Sequence, residues 1–466
     1  MLEWRPFDYH SLEELQQDIR EAGVNLPISE NFNVFKKPLE IYGHTLKNRL
    51  SIQPLEGFDA GEDGTPSDLT FRRYRRFAAG GAGLLWFESC SPTATSQTSR
   101  RQCRITDKNL PVFQRLLYEI RDSAADGAPP FTIAQLTHCG RNSRLDGDGT
   151  FGDKGLPQYV ACDNPYLPKR HAVILRDEDL DHVMDDYVKA AKLMKKAGFD
   201  AVDIRGCHGY LISELLSSFT RENSRYGGPD FENRTRFLLE TIDRVQAEVG
   251  IPVAIRLNAC DMIPYPYGWG MSRDGSLRPD LTEPLRLGKL LADRGVVLLN
   301  ISMGRNHATQ LQLPYNRGSH RPKEHQLYAM AFYHSLAAAF KKEIPQAVVM
   351  TGTLSWPGIY APYIAAGEME AGMYDLPGFG RLPWAYPDFA RDILENGGLK
   401  REKCCIACNS CCNMIGVAAS TGCPVGCPVR DPEIYAPLYR QFVGASVRQM
   451  SPQTVELFKL EKLGER

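Results

Sequence analysis

From residue 49 onward the chain alternates short, almost uninterrupted apolar runs with longer stretches in which apolar residues recur every three to four positions. The runs fall at residues 49–55, 83–89, 131–138, 201–206, 253–258, 296–303, 347–353 and 373–381. Apolar runs this short, without polar alternation, predict parallel strands covered on both faces. Between them, residues 177–197 and 232–249 carry the helical period. Eight strands with helices between them predict an α/β architecture of the (β/α)8 type, a TIM barrel. Upstream, Ser11 followed by Glu14 has the spacing of a capping box, and Leu12, Leu15 and Ile19 share one face, so residues 11–22 predict a packing helix.

Residues 139–172 and 260–280 are rich in Gly, Pro and Asp and read as insertions into the barrel. A doubly wound sheet is the alternative, but its phosphate-binding glycines are missing. Gly80-Gly-Ala-Gly83 precedes a strand instead of opening a helix after one. The expected division is an N-terminal extension over 1–33, a barrel over 34–395, and a cysteine-rich segment with a tail over 396–466.

Composition narrows the class. Hydrophobic residues make up 43% and charged residues 24%, as in a soluble enzyme. A formal net charge of −1 gives no argument for nucleic acid or an anionic membrane surface. No apolar run is long enough to span a bilayer, and the acidic start MLEWRPFDYHSLEEL lacks the apolar stretch of a signal peptide. A cytoplasmic protein with no membrane or nucleic-acid partner is expected.

Six of the thirteen cysteines (90, 103, 139, 162, 207 and 260) are scattered singly, which does not suit a secreted disulfide scaffold. The other seven crowd into Cys404-Cys405-Ile-Ala-Cys408-Asn-Ser-Cys411-Cys412, followed by Cys423 and Cys427. Thiolates select soft metals, and C-x2-C-x2-C with a distant fourth cysteine suits one iron–sulfur cluster. Zinc and a disulfide knot are the competitors.

A barrel places its active site at the C-terminal ends of its strands. Those ends carry Pro54, Leu55, Ser89, Gln135, His138, Arg205, His208, Tyr210, Arg256, His307, Gly352, Thr353, Gly380 and Arg381. Glycine lets backbone N–H groups approach a phosphate, and arginine supplies a planar charged fork. An arginine inside the apolar run VAIRL is costly unless something uses its charge. A tyrosine stays protonated at neutral pH and can act as a general acid.

The segment 203–236, DIRGCHGYLISELLSSFTRENSRYGGPDFENRTR, closely resembles the old yellow enzyme family's run after its fourth strand. LKNRLSIQPLEG (46–57), AQLTHCGRNS (134–143), AIRLN (254–258) and GFGR (378–381) fit the same family. With CCIACNSC (404–411) they resemble its iron–sulfur branch, which includes 2,4-dienoyl-CoA reductase, 2-enoate reductase and trimethylamine dehydrogenase.

This resemblance implies FMN at the barrel mouth. Gly380 and Arg381 match the phosphate turn, Gly352 and Thr353 its partner, Gln135 the flavin pyrimidine contact and Arg256 the cation near N1. Pro54, Leu55 and Ser89 match further flavin contacts. Tyr210 matches the proton donor. Relatives carry His with His or Asn where this chain has Arg205 and His208, and Glu56 stands where they often have a small polar residue.

For a 4Fe–4S cluster, the resemblance implies Cys405 and Cys408, with Cys411 or Cys412 third and Cys427 or Cys423 fourth. Cys411 and Cys427 are favoured, Cys404 is a bystander, and His307 lies near a second histidine of the dienoyl reductases.

The implied activity is reduction of the C=C bond of an α,β-unsaturated carbonyl, acid or acyl compound. Hydride passes from flavin N5 to the β-carbon and a proton from Tyr210 to the α-carbon. About forty residues follow the cysteines, fewer than a nucleotide-binding half-domain needs. Electrons are therefore expected from NAD(P)H at the barrel mouth or from an external electron-transfer protein, in a homo-oligomer acting on a small molecule. The alternatives are an amine dehydrogenase-like oxidoreductase, a flavin-free barrel lyase or isomerase with structural zinc, and a non-catalytic subunit.

Overall fold

The computed structural model describes residues 2–5, 7–143, 158–167, 172–305 and 324–444. Eight parallel strands close into a barrel. They are β1 (Ser51–Ile52), β2 (Leu84–Cys90), β3 (Phe131–Leu136), β4 (Ala201–Ile204), β5 (Val253–Asn258), β6 (Leu298–Ser302), β7 (Val348–Thr351) and β8 (Leu376–Phe379). The ring shuts where β8 pairs with β1, Gly378 opposite Ser51 and Phe379 opposite Ile52.

Each strand falls within or close to its expected run, and most are shorter. The residues trimmed from their C-terminal ends leave the ladder to form the mouth. β1 spans only two residues, though Gln53 N still donates to Phe379 O at 2.9 Å, and the Gln53 side-chain Nε2 donates to Asn300 Oδ1 and the Thr351 carbonyl, both at 3.1 Å.

The opposite end is sealed. A hairpin of Leu39–Ile41 and His44–Leu46 caps the barrel bottom. Its Ile41 and Leu46 join Trp86, Ile133, Leu298, Met350 and Leu376 in the interior core. Burying such side chains stabilises by about 1.5–3 kcal/mol each. Tyr42 pins the cap, its hydroxyl donating to Val253 O at 2.6 Å and accepting from Leu298 N at 3.2 Å. With the floor apolar, polar chemistry is left to the other end.

The helix Leu12–Ala22 forms as expected, with Ser11 Oγ accepting from Glu14 N at 3.2 Å. The Glu14 carboxylate reaches back to His10 N, one residue beyond the Ser11 N–H that a reciprocal box would use. Leu15 and Ile19 pack on Leu327 and Met330 of the helix Gln326–Glu343. Asp177–Ala197 is a single helix. The helix expected over 232–249 runs from Phe231 to Arg244 and widens into a π turn at Val245–Val249. The first insertion contains a parallel strand pair, Gln158–Val160 with Ala172–Ile174.

The cysteine segment docks beside β1. Val425 N donates to Gly57 O at 2.7 Å, Arg101 to Gly422 O at 2.8 Å, and Arg72 and Arg76 both reach Asp431. Among the described residues no helix is long and apolar enough to cross a membrane.

Candidate active site

Buried polar atoms without a hydrogen-bond partner gather at the C-terminal ends of the strands. They include Glu56 Oε1 after β1, Thr137 Oγ1 after β3, Arg256 Nε in β5 and Thr351 Oγ1 in β7. An unmet buried polar group costs about 1–3 kcal/mol, so such a concentration marks a place prepared for a ligand.

Arg205, His208 and Tyr210 come together just beyond β4. The Arg205 guanidinium lies 3.9 Å above the Tyr210 ring, and its Nη2 donates to His208 Nδ1 at 3.0 Å. That assigns His208 Nε2 as the protonated nitrogen, which donates to Ser302 Oγ at 2.6 Å. Tyr333 OH donates to the same oxygen at 3.0 Å. Burial, with the cations Arg256 and Arg205, holds the His208 pKa well below the usual histidine value, so the ring is neutral. His208 sits at φ 64, a left-handed conformation that Cβ makes unfavourable. Both its nitrogens serve protein partners, so it buttresses Arg205.

Burial raises the Tyr210 pKa, and the nearby Glu56 carboxylate adds to this; the Arg205 cation acts the other way. The phenol therefore stays protonated, yet a phenolate forming there would meet a positive charge.

Glu56 faces this cation; burial raises its carboxyl pKa, and Arg205, Ser89 and Thr98 act the other way to favour the carboxylate. Its Oε1 faces Arg205 Nη1 at 3.7 Å, with both side chains largely shielded from solvent. Thr98 Oγ1 donates to its Oε2 at 3.3 Å. Ser89, next to it on β2, accepts from Gln102 Nε2 at 2.9 Å. Pro54 is buried and Leu55 half-buried in the same β1 loop.

Gln135 donates through Nε2 to Asp203 at 2.7 Å, which leaves its amide oxygen for another partner. Asp203 is fully enclosed and also accepts from Trp86 Nε1 and Arg256 N. Burial pushes its carboxyl up to about 6. His138 accepts from Gly140 N through Nδ1, and burial lowers its pKa to about 3, so it too is neutral.

At β7, Thr353 follows Gly352 at φ 67. His334, on the helix Gln326–Glu343, reaches Thr353 Oγ1 at 2.7 Å and Gly352 O at 3.0 Å through Nε2. A carbonyl only accepts, so Nε2 carries a proton. Nδ1 meets Glu368 at 2.7 Å, and Tyr374 donates to the other Glu368 oxygen at 2.6 Å. At β8, a Cβ added to Gly380 would meet only Leu55 and Gln53, at 3.7 and 3.9 Å.

Arg381 follows Gly380 and turns part of its guanidinium to the cysteine segment. Its Nη1 donates to Asn409 Oδ1 at 2.7 Å and points toward the cysteines. One pocket there is lined by Cys405, Cys408, Cys411 and Cys427, with Arg381 and Trp384. Cys404, Cys412 and Cys423 are buried outside that lining. Burial pushes up the Cys408 and Cys427 thiols, and Arg381 opposes this at Cys408. Among the described residues no three metal-ligating side chains close to single-ion spacing.

Fit follows from these features. The mouth offers an unmet cation atom at Arg256, a glycine turn with room beside it at Gly380, and a positioned hydroxyl at Thr353. FMN, with its phosphate and electron-poor ring, matches that set. Four thiols around one pocket with a cation on its wall match a thiolate-bound cluster.

Ser302, Tyr333, His334, Glu368 and Asp203 were not singled out from the sequence. Ser302 and His334 sit in apolar patterns that read as core, and only the fold brings them to the mouth. His307 lies outside the described residues.

The chain matches the model of the NADH:flavin oxidoreductase / NADH oxidase family over residues 33–265. It is 30% identical to an NADPH dehydrogenase of Listeria welshimeri, over 56% of this chain and 70% of that one. It is 26% identical to a metal reductase of Desulforamulus reducens, over 82% of this chain and 51% of the relative. The fold is similar to that of a 2-naphthoyl-CoA reductase complex, with a TM-score of 0.69 and 21% identity. That match covers 88% of this chain and 58% of the other. The closed barrel, the mouth residues and a family match spanning half of the sequence lead to one conclusion: the chain belongs to the NADH:flavin oxidoreductase / NADH oxidase family and is an oxidoreductase of the old yellow enzyme type.

Proposed function

We propose that this chain is an FMN- and 4Fe–4S-dependent ene-reductase of the family's iron–sulfur branch. The observation that carries the reading is the convergence of Tyr210, Arg205 and His208 at the mouth, with the acid's ring stacked under a fixed cation.

Residues 34–395 form the flavin barrel, 396–466 the cluster segment and tail, and 1–33 an extension. Gly352, Thr353, Gly380 and Arg381 would hold the phosphate end of FMN, with Arg381 also reaching the cysteine segment through Asn409. Gln135, Arg256, Pro54, Leu55 and Ser89 would hold the flavin ring, with the Gln135 amide oxygen and the Arg256 charge as its polar contacts. Reduced FMN would supply a hydride to the β-carbon of the bound alkene. Cys405, Cys408, Cys411 and Cys427 would hold the cluster, which supplies single electrons.

Tyr210 Oη gives its proton to the α-carbon. The Arg205 guanidinium stabilises the charge left on the phenol, and His208, fixed by Ser302, keeps Arg205 over the ring. Their burial excludes bulk water from the proton's path. The substrate is a small α,β-unsaturated carbonyl, acid or acyl compound. Electrons enter from NAD(P)H or from a carrier protein docking near the cysteines, and the working form is a homo-oligomer.

The test is anaerobic turnover with NADH, NADPH or a reduced low-potential carrier, against enones, free enoic acids, enoate esters and enoyl thioesters. Reoxidation of the reduced flavin with a saturated product supports the reading. A flavin that is reduced but is reoxidised by none of these alkenes would overturn it.

A further inference from the structure

Glu56 and Arg205 lie on different strands' loops, 149 positions apart in the numbering. They nevertheless form one ion pair at 3.7 Å at the rim of the acid–base site. Arg205 is otherwise committed: Nε faces Cys207 Sγ at 3.4 Å and Nη2 faces His208 at 3.0 Å. Glu56 is held from its other side by Thr98. One negative and one positive charge thus share the subsite that would anchor the substrate's oxygen.

We propose that Glu56 is a specificity-determining residue that cancels the Arg205 charge, so that the anchoring subsite takes an uncharged carbonyl, as in an ester, thioester or ketone, and turns away a free carboxylate. This rests on the ene-reductase reading and sharpens its substrate class. A shielded carboxylate repels an incoming one with little screening. Displacing Glu56 from Arg205 would also leave a buried charge unpaired. Discrimination then comes from the repulsive partner as much as from the attractive one. An uncharged carbonyl oxygen meets no such penalty and can still accept from a guanidinium N–H as charge develops on it.

The test uses the flavin-loaded protein and two non-reacting probes of one skeleton, 3-phenylpropanoate and its methyl ester. Dissociation constants are read from perturbation of the flavin absorbance, so no turnover is needed. The wild-type protein should bind the ester at least tenfold more tightly than the acid. Glu56→Gln, which keeps the shape and removes the charge, should shift that ratio toward the acid by tenfold or more. Tighter binding of the acid by the wild-type protein, or an unchanged ratio in Glu56→Gln, would overturn the proposal. The wild-type comparison stands even if the variant fails to fold. Failure of the turnover panel would sink the ene-reductase reading without touching this binding ratio.

Discussion

The guanidinium of Arg205 lies 3.9 Å above the ring of Tyr210, so the proposed proton donor carries a permanent cation against its ring. Burial raises the phenol's pKa and the cation lowers it. The pairing keeps the proton in the resting enzyme and eases its departure in the transition state.

Removing the hydroxyl alone should separate the two half-reactions. Tyr210→Phe should lower the rate of alkene reduction by about 10²–10⁴, the range of a general acid. Flavin reduction by the electron donor should stay within about twofold of wild type. Single-turnover stopped-flow measurements of each half-reaction decide this; equal losses in both would make Tyr210 a structural residue.

The cysteine pocket separates the proposed ligands from the proposed bystanders. Cys408→Ala should lose most of the iron and acid-labile sulfide, while Cys423→Ala, outside the pocket lining, should retain both. Metal and sulfide analysis of anaerobically purified variants checks it. Equal iron in the two variants would mean that the lining thiols are not the ligands.

His334 bridges Glu368 and Thr353 from within the wall. Its role is to position the Thr353 hydroxyl at the proposed phosphate end of the flavin. His334→Leu should weaken FMN binding about tenfold or more, the scale of one lost charge-assisted hydrogen bond. Riboflavin, which lacks the phosphate, should lose much less. Comparable losses for the two ligands, measured by fluorescence titration, would show a general effect on the barrel.

Asp203 makes stability depend on pH. Its native carboxyl is raised to about 6 from an ordinary 3.8, so the native state holds a proton that the unfolded chain releases. That contribution is full below about pH 4, is lost as pH rises through about 6, and is flat above. The melting temperature of wild type relative to Asp203→Asn should therefore fall between about pH 4 and 6 and level off beyond. A difference that rises across that window would contradict the assignment.

The barrel was legible because each strand is an apolar run bounded by turn residues; residues 253–258 coincide with β5. Helix phase was not legible at the cysteines. Cys411 and Cys412 are adjacent, and one residue turns a helix by about 100°. Only the start of the helix at Ser410 shows which of them faces the pocket. Tyr333 and His334 lie in MAFYHSLAAAF, which reads as packing. Their partners Ser302 and Thr353 are reached only through closure of the barrel. Glu56 and Arg205 each stood out as departures from the family pattern, but nothing in their spacing announced that they face each other.

If the barrel and the cysteine segment together form a flavin and iron–sulfur reductase, as proposed, both cofactors should accompany the purified protein. Cofactor analysis of protein purified without oxygen tests it most directly, by visible absorbance, flavin release and iron, sulfide and zinc content. Such a reductase should give brown protein with one FMN and one four-iron cluster per chain, whose cluster absorbance bleaches on reduction. Colourless protein carrying zinc in the cysteine pocket would contradict it.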